Sequence, residues 1–365
     1  MKQDILIVGG YGAVGKHVVM ELAKICPENI IIAGRNLNEA ERFIKETGLP
    51  IRAKQLDIYE PSSFDQNLET IHTVMVCLGI KNTKFAETCI DHGIHYIDIS
   101  ASNEIPSQLK QLEEKAIQNQ VTCLLGVGIA PGLSTLLAQK MVEEMEQVTE
   151  LNFSLMLGLG EQHGTDGVKW FLDNLRTDFE ANGSSIKPFI HKQRAHFPEP
   201  LGVRKSYTFN LADREILSET LQIPTVHTYF CYDAKFVTGL IHFLQKIRFL
   251  SILKNTKVFN FFWKIFSSDA MSKQTKLSDV IGLHIEATGL KSGITTTHYG
   301  TITGNNSSAL TAKTATYTAL QIRNDRYPYG IHYLNEVTHL DQIAEALKDA
   351  FKTEIRASEN FGGDL

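Results

Sequence analysis

Short apolar runs alternate with stretches in which apolar residues recur every three or four positions through the first third of the chain. The run Asp4-Ile5-Leu6-Ile7-Val8 reads as a strand, and Val14, Val18, Leu22 and Ile25 then share one helical face that stops at Pro27. Further strands are expected at Ile30 to Ala33, near Ile51 to Leu56, and at Thr73 to Leu78, His95 to Ile99 and Val121 to Leu125. Helical patterns separate them. One has Asn38 as its expected N-cap and Gly48 as its end; others lie around Phe64, from Phe85 to His92, and from about Ile105 to Gln118. Strands alternating with helices predict an α/β domain, a doubly wound parallel sheet with helices on both faces.

The pattern changes after Gly126-Val127-Gly128-Ile129-Ala130-Pro131-Gly132. A helix from about Leu133 to Met145 leads into a long strand from Val148 to Leu157. Other strands are expected at Tyr207 to Leu211, Ile281 to Ala287 and Thr295 to Ile302. Long strands without regular helical crossovers predict a second α+β domain built on a mostly antiparallel sheet. Helical patterns return from Ala309 to Ile322 and within Leu334 to Leu347.

The first strand breaks into Gly9-Gly10-Tyr11-Gly12-Ala13-Val14-Gly15, a G-G-x-G-x-x-G turn that runs into a helix. In such a turn Gly10 permits the tight bend, Gly12 lets backbone approach a pyrophosphate, and Gly15 lets the helix pack closely on the sheet. The helix start aims free N–H groups and positive dipole at phosphate. Gly10, Tyr11, Gly12, Ala13, Val14 and Gly15 are therefore expected to hold a dinucleotide. At the end of the second strand, a carboxylate would bind a ribose 2′-hydroxyl, whereas an arginine accommodates a 2′-phosphate. This chain has Gly34-Arg35-Asn36 and no carboxylate before Glu39. Arg35 and Asn36 thus favour NADP(H) over NAD(H), the alternative being that Arg35 is an ordinary exposed charge.

Asp57 and Leu78-Gly79 close the third and fourth strands on the edge where open α/β sheets bind ligands. Asp57 suits the adenine side or, equally, a turn before Pro61. Tyr96, Asp98 and Ser100 alternate onto one face at the end of the fifth strand, followed by Ser102. Asp98 there could orient substrate or take a proton, or could simply cap the helix behind it. His92 and His95 read as surface or satisfied polar residues.

A length of 365 residues suits two domains, and a net charge of −5 argues against nucleic acid as a partner. The five cysteines include no C-x-x-C, which suits reduced, buried thiols and a cytoplasmic protein without a signal peptide. No ligand cluster has the spacing of a metal site. There is no Y-x-x-x-K of the short-chain dehydrogenase type, and Cys123 lies in an apolar strand where a nucleophile would be inert. Residues 234–268 contain no acid and six bases (Lys235, Lys246, Arg248, Lys254, Lys257, Lys264) among many large apolar residues. This stretch suits a basic amphipathic helix in contact with a membrane surface. The favoured expectation is a helical insert over a substrate pocket or a dimer face, its apolar side buried by protein.

Two regions resemble the saccharopine dehydrogenase-like NADP-binding oxidoreductases. One is Gly126-x-Gly128-x-x-Pro131-Gly132. The other is Ala86 to Ser100, similar to the family's A-x-x-C-x-x-x-G-x-H-Y-x-D-x-S pattern. The glycine turn, Gly34-Arg35 and Leu56-Asp57 also match. The resemblance spans about residues 3 to 140, is thin in the middle, and returns weakly at Glu286 to Gly304 and Tyr329-Gly330-Ile331. It implies a Rossmann domain of residues 1–130 plus about 310–365, and a 131–309 domain for substrate and dimerisation. It also implies a homodimer that moves a hydride to or from a C–N or carbonyl centre of a small amino-acid-like or polyamine-like substrate. Pro131-Gly132 would lie near the nicotinamide carboxamide. Gly164-Thr165 resembles a turn at a helix start that faces the active site and could hold a substrate carboxylate, unless it only caps a helix with Trp170 in the core. His163 and Lys169 flank that turn and, with Asp98, are the candidate catalytic residues. Two rival readings remain, a non-catalytic NADP(H)-sensing or scaffold protein and a peripheral membrane-associated reductase.

Overall fold

The computed structural model describes residues 2–64, 68–100, 104–160, 165–181, 183–248 and 278–357. From the amino end come β1 (Asp4–Val8), α1 (Ala13–Ala23), β2 (Ile30–Gly34), α2 (Leu37–Thr47), β3 (Arg52–Gln55) and β4 (Ile71–Val76). They are followed by α3 (Lys84–Asp91), β5 (His95–Asp98), α4 (Glu104–Lys110), α5 (Glu113–Gln118), β6 (Thr122–Leu125) and α6 (Leu133–Glu143). The middle of the chain forms β7 (Gln147–Leu157), α7 (Thr165–Arg176), β8 (Phe179–Ala181), β9 (Ser184–Ile186), β10 (Lys192–His196) and β11 (Val203–Thr208). Then come α8 (Asp213–Thr220), β12 (Thr225–Tyr232), α9 (Lys235–Lys246), β13 (Val280–Lys291), β14 (Ile294–Asn305) and α10 (Ser307–Arg323). The last elements are β15 (Gly330–Tyr333), α11 (Leu334–Val337), α12 (Leu340–Ala346) and β16 (Phe351–Ala357). The chain divides into two compact units, Met1–Leu133 with Ser308–Leu347 and Ser134–Ser307 with Lys348–Leu365.

The first unit is a parallel seven-stranded sheet in the order β15-β6-β5-β4-β1-β2-β3. Covered on both faces, its central strands are apolar at nearly every position, as buried parallel strands must be. Ile5, Ile7, Ile30, Ile32, Met75, Ile97 and Leu124 join Val18, Val19 and Leu22 of α1 and Ala312, Ala315 and Ala319 of α10 in one core. The edge strand β15 is new relative to the sequence pattern. It pairs with β6 from Gly330↔Thr122 to Tyr333↔Leu125, and four residues with a glycine and a histidine give too short a run to read as a strand.

Helix α2 begins two residues earlier than expected because Asn36, not Asn38, is its N-cap. The Asn36 carboxamide oxygen accepts the Glu39 N–H at 3.3 Å, and Gly48 closes the helix at φ 65°. The single helix expected over 105–118 is two, α4 and α5. The break leaves Glu113 to accept the Ile331 N–H of β15 at 2.6 Å.

The second unit is built on a mixed sheet in the order β10-β11-β12-β7-β13-β14-β16. Only β12 and β7 pair in parallel; the other pairs are antiparallel. β13 and β14 form a long hairpin whose two-residue turn, Ser292-Gly293, has φ 53° and 73°, the primed geometry that suits twisted strands. The Glu146 carboxylate holds that turn by accepting the Ser292 and Gly293 N–H groups at 2.8 and 3.3 Å. Phe171, Phe189, Phe209 and Phe230 form an aromatic core, and Trp170 packs edge-on against Phe209 at 5.5 Å.

The C-terminal end departs from the expected boundary. The resemblance implied that about 310–365 completes the first unit, but β16 leaves it and pairs with β14 from Gly304↔Phe351 to His298↔Ala357. The physical reason is the open edge of the hairpin, whose unpaired N–H and C=O groups the last strand satisfies. Among the described residues no helix is long and apolar enough to cross a membrane.

Candidate functional site

The carboxyl edge of the first unit's sheet gathers most of the residues singled out in the sequence. Gly12 is the N-cap of α1, and the first turn of that helix carries no acidic side chain, which leaves its N–H groups and dipole open to an anion. A Cβ on Gly15 would lie 2.1 Å from the Gly9 carbonyl oxygen and 2.8 Å from the Gly10 Cα. The cradle is therefore bare backbone at van der Waals contact, the form in which a glycine turn receives a pyrophosphate.

Tyr11 occupies the variable position of that turn and makes a contact no pattern could show. Its hydroxyl accepts the Asn36 N–H at 3.1 Å, and its ring lies across Gly34, where a Cβ would come within 2.2 Å of the phenol oxygen. The glycine turn and the end of β2 are thereby one structure. Arg35 stands exposed beside it; its carbonyl accepts the Gln55 side chain at 3.1 Å, and its guanidinium makes no ion pair among the described residues. Asn36 is committed locally, since its side chain caps α2.

Asp57 forms an Asx turn, its carboxylate accepting the Tyr59 N–H at 3.0 Å, which matches the turn role weighed for it. The Tyr59 hydroxyl then donates to the Gly79 carbonyl at 3.1 Å, linking the loops after β3 and β4. Leu78 lies beside the glycine turn, its Cδ2 3.4 Å from where a Gly9 Cβ would be.

At the end of β5 the Asp98 carboxylate is 0 % exposed, and both its oxygens are held by Ser100, through the backbone N–H at 2.7 Å and the hydroxyl at 3.0 Å. Burial pushes this carboxyl up to about 6, while the two Ser100 hydrogen bonds pull it back down. The geometry is that of a turn-holding carboxylate. His95 is likewise structural: its Nδ1 accepts the Thr122 N–H at 3.0 Å, and burial lowers its pKa to about 4.

After β6, Gly128 to Leu133 forms a tight loop with a cis Ala130–Pro131 bond, in which the Gly128 carbonyl accepts the Leu133 N–H at 3.0 Å. Pro131 and Gly132 are buried, and the Thr311 side chain lies against Gly128. In the second unit Thr165 opens α7, and Lys169 is exposed on that helix. His163, Gly164 and Ser102 lie outside the described residues. The five cysteines are free thiols; Cys123 is buried, and burial raises its pKa, as expected of an inert strand residue.

Asp98 gives a pH signature. Its folded-state pKa stands above the unfolded value of about 4, so between those values the folded protein binds more protons. Its contribution to stability is complete below pH 4 and is lost as pH rises through about 6. Asp98→Asn keeps an acceptor for the Ser100 N–H and removes the titration. Chemical unfolding at pH 4.5 and 7.5 is expected to show the variant gaining on wild type by on the order of 2 kcal/mol at the higher pH. Parallel pH curves would contradict this account of the buried carboxylate.

A glycine cradle at a helix N-terminus, joined to an arginine at the end of the second strand of a parallel sheet, defines a Rossmann-type nucleotide-binding domain. Comparison with known proteins makes this specific: residues 5–124 match the saccharopine dehydrogenase NADP binding domain. Saccharopine dehydrogenase [NADP(+), L-glutamate-forming] of Schizosaccharomyces pombe is 29% identical over 146 residues, 40% of this chain and 31% of that protein. The Saccharomyces cerevisiae protein of the same name is 26% identical over 148 residues, 40% of this chain and 32% of the relative. These alignments thus span about a third of the length of the curated relatives. Among solved structures, apo saccharopine dehydrogenase (L-Glu forming) from S. cerevisiae superposes with a TM-score of 0.70 at 16% identity, covering 98% of this chain and 100% of that one, which establishes a shared fold.

Proposed function

We propose that the chain is an NADP(H)-dependent oxidoreductase acting at a C–N or carbonyl centre of a small amino-acid-like or polyamine-like substrate. The observation that carries the reading is the joined glycine turn and β2 end, where the Arg35 guanidinium makes no ion pair among the described residues and Asn36 brings no charge. When bound, the cofactor supplies or accepts the hydride. Gly10 to Gly15 hold its pyrophosphate on backbone N–H groups, Arg35 pairs with the 2′-phosphate, and Pro131-Gly132 border the nicotinamide end. Because Asp98 is sequestered by Ser100, His163 and Lys169 are the candidates for moving the proton.

That sequestration also supports the rival reading, a protein that binds NADP(H) without turning it over, because the described part of the nucleotide unit offers no free acid at the end of β5. One experiment separates the two. NADPH oxidation is followed with α-keto acids plus amino-acid or polyamine amines, with preformed cyclic imines and with simple carbonyls, beside NADPH and NADH affinities. Steady turnover with NADPH supports the oxidoreductase. Tight NADPH binding with no turnover across the panel supports the sensor, and equal affinity for NADH overturns the assignment of Arg35.

A further inference from the structure

Helix α9 is docked with its polar side inward. The Thr238 hydroxyl accepts the Tyr232 N–H at 2.9 Å, and Gln245 donates to the Leu175 carbonyl at 3.3 Å. His242 Nδ1 meets the Phe189 carbonyl at 2.7 Å, and its ring stacks on Tyr207 at 4.3 Å. At 3.6 residues per turn these three positions share one side. The opposite side carries Phe236, Leu240, Phe243 and Ile247, which are 79%, 43%, 56% and 54% exposed. Their spacing of four, three and four keeps them in one narrow stripe. A helix on a globular unit ordinarily turns such a stripe to the core; this one turns it out. Within the single chain, the apolar side of α9 is exposed at these four positions.

Charge identifies what the stripe fits. By helical angle Lys235 and Lys246 flank it on one side, Arg248 stands exposed just past the helix end, and the sequence from 234 to 268 has no carboxylate. A second copy packed on the stripe about a two-fold axis would set Lys235 and Lys246 against their own kind, with no acid of 234–268 to pair them. The sequence 249–268 adds Lys254, Lys257 and Lys264 and no acid, so it offers no compensation either. An anionic bilayer offers both an apolar boundary for the stripe and phosphates for the flanking bases.

We propose that α9 docks this protein on an anionic membrane surface, seating Phe236, Leu240, Phe243 and Ile247 at the headgroup boundary with Lys235 and Lys246 against lipid phosphates. The full chain is co-sedimented with vesicles of phosphatidylcholine alone and of phosphatidylcholine mixed with phosphatidylglycerol, at low and high salt. Binding is expected only to the anionic vesicles and weakens as salt rises. The double variant Phe236→Ser, Phe243→Ser loses vesicle partitioning by about tenfold or more while NADPH affinity is unchanged. Phe243→Trp, read as a difference from wild type, shifts its emission to the blue when anionic vesicles are added. Absence of vesicle binding, or equal binding to neutral vesicles, overturns the proposal. So does an emission from the introduced indole of Phe243→Trp that is already blue-shifted without lipid, or a dimer in sedimentation velocity that the double serine variant dissolves, because each shows that protein covers the stripe.

Discussion

Replacing Arg35 by glutamate is expected to abolish NADPH binding at concentrations that saturate the wild type, while NADH binding is kept or improved. The guanidinium is exposed and free of ion pairs among the described residues, so little in the fold depends on it. Bound against a 2′-phosphate it makes a charge-assisted pair, and a hydrogen bond to a charged group contributes about 1.5–3 kcal/mol. The substituted carboxylate adds repulsion against the phosphate and supplies the acceptor that a ribose 2′-hydroxyl prefers. The expected loss of NADPH affinity is therefore about a hundredfold or more. Titration of cofactor fluorescence measures it, and a change of less than about threefold would remove Arg35 from the site.

Gly15→Ala is expected to be as damaging by a different route. The added methyl carbon would lie 2.1 Å from the Gly9 carbonyl oxygen and 2.8 Å from the Gly10 Cα, both rigid backbone of the cradle itself. No rotamer relieves the contact, so α1 must lift from the strand end. Overpacking of this kind costs about 1–3 kcal/mol or more, and the displaced N–H groups no longer converge on one anion. Thermal unfolding of the first unit is expected at a lower midpoint, by about 2–4 °C per kcal/mol for a unit of about 150–250 residues, with NADPH binding lost. An alanine variant that binds NADPH normally would show that the turn is not the pyrophosphate cradle.

The first unit was legible because its central strands are buried on both faces and its glycine turn is fixed by contact. Apolar runs such as Ile30-Ile31-Ile32 have few alternatives to a central parallel strand, and Gly15 tolerates no other residue where it sits. What escaped the sequence depends on partners distant in the chain. β15 becomes a strand only because β6 lies beside it, and Tyr11 gains meaning only from Asn36, 25 residues on. Asp98 shows the same limit at the level of chemistry. Its spacing marks a strand-end carboxylate in one motif, whereas its hydrogen bonds to Ser100 decide that the carboxylate faces inward. The second unit was harder still: its strands carry polar residues on one face, and the parallel β7–β12 pair is separated by most of the irregular middle.

The return of Ser308–Leu347 to the first unit and of β16 to the hairpin edge makes each unit discontinuous, because the chain enters the first, crosses to the second, goes back, and crosses again. During synthesis, therefore, the nucleotide-binding sheet waits for β15 until the whole middle of the chain has left the ribosome, and the second sheet waits longer still for its edge. Neither unit can be cut out as one uninterrupted fragment. Each sheet is complete only once its last strand has been made, β15 for the first and β16 for the second.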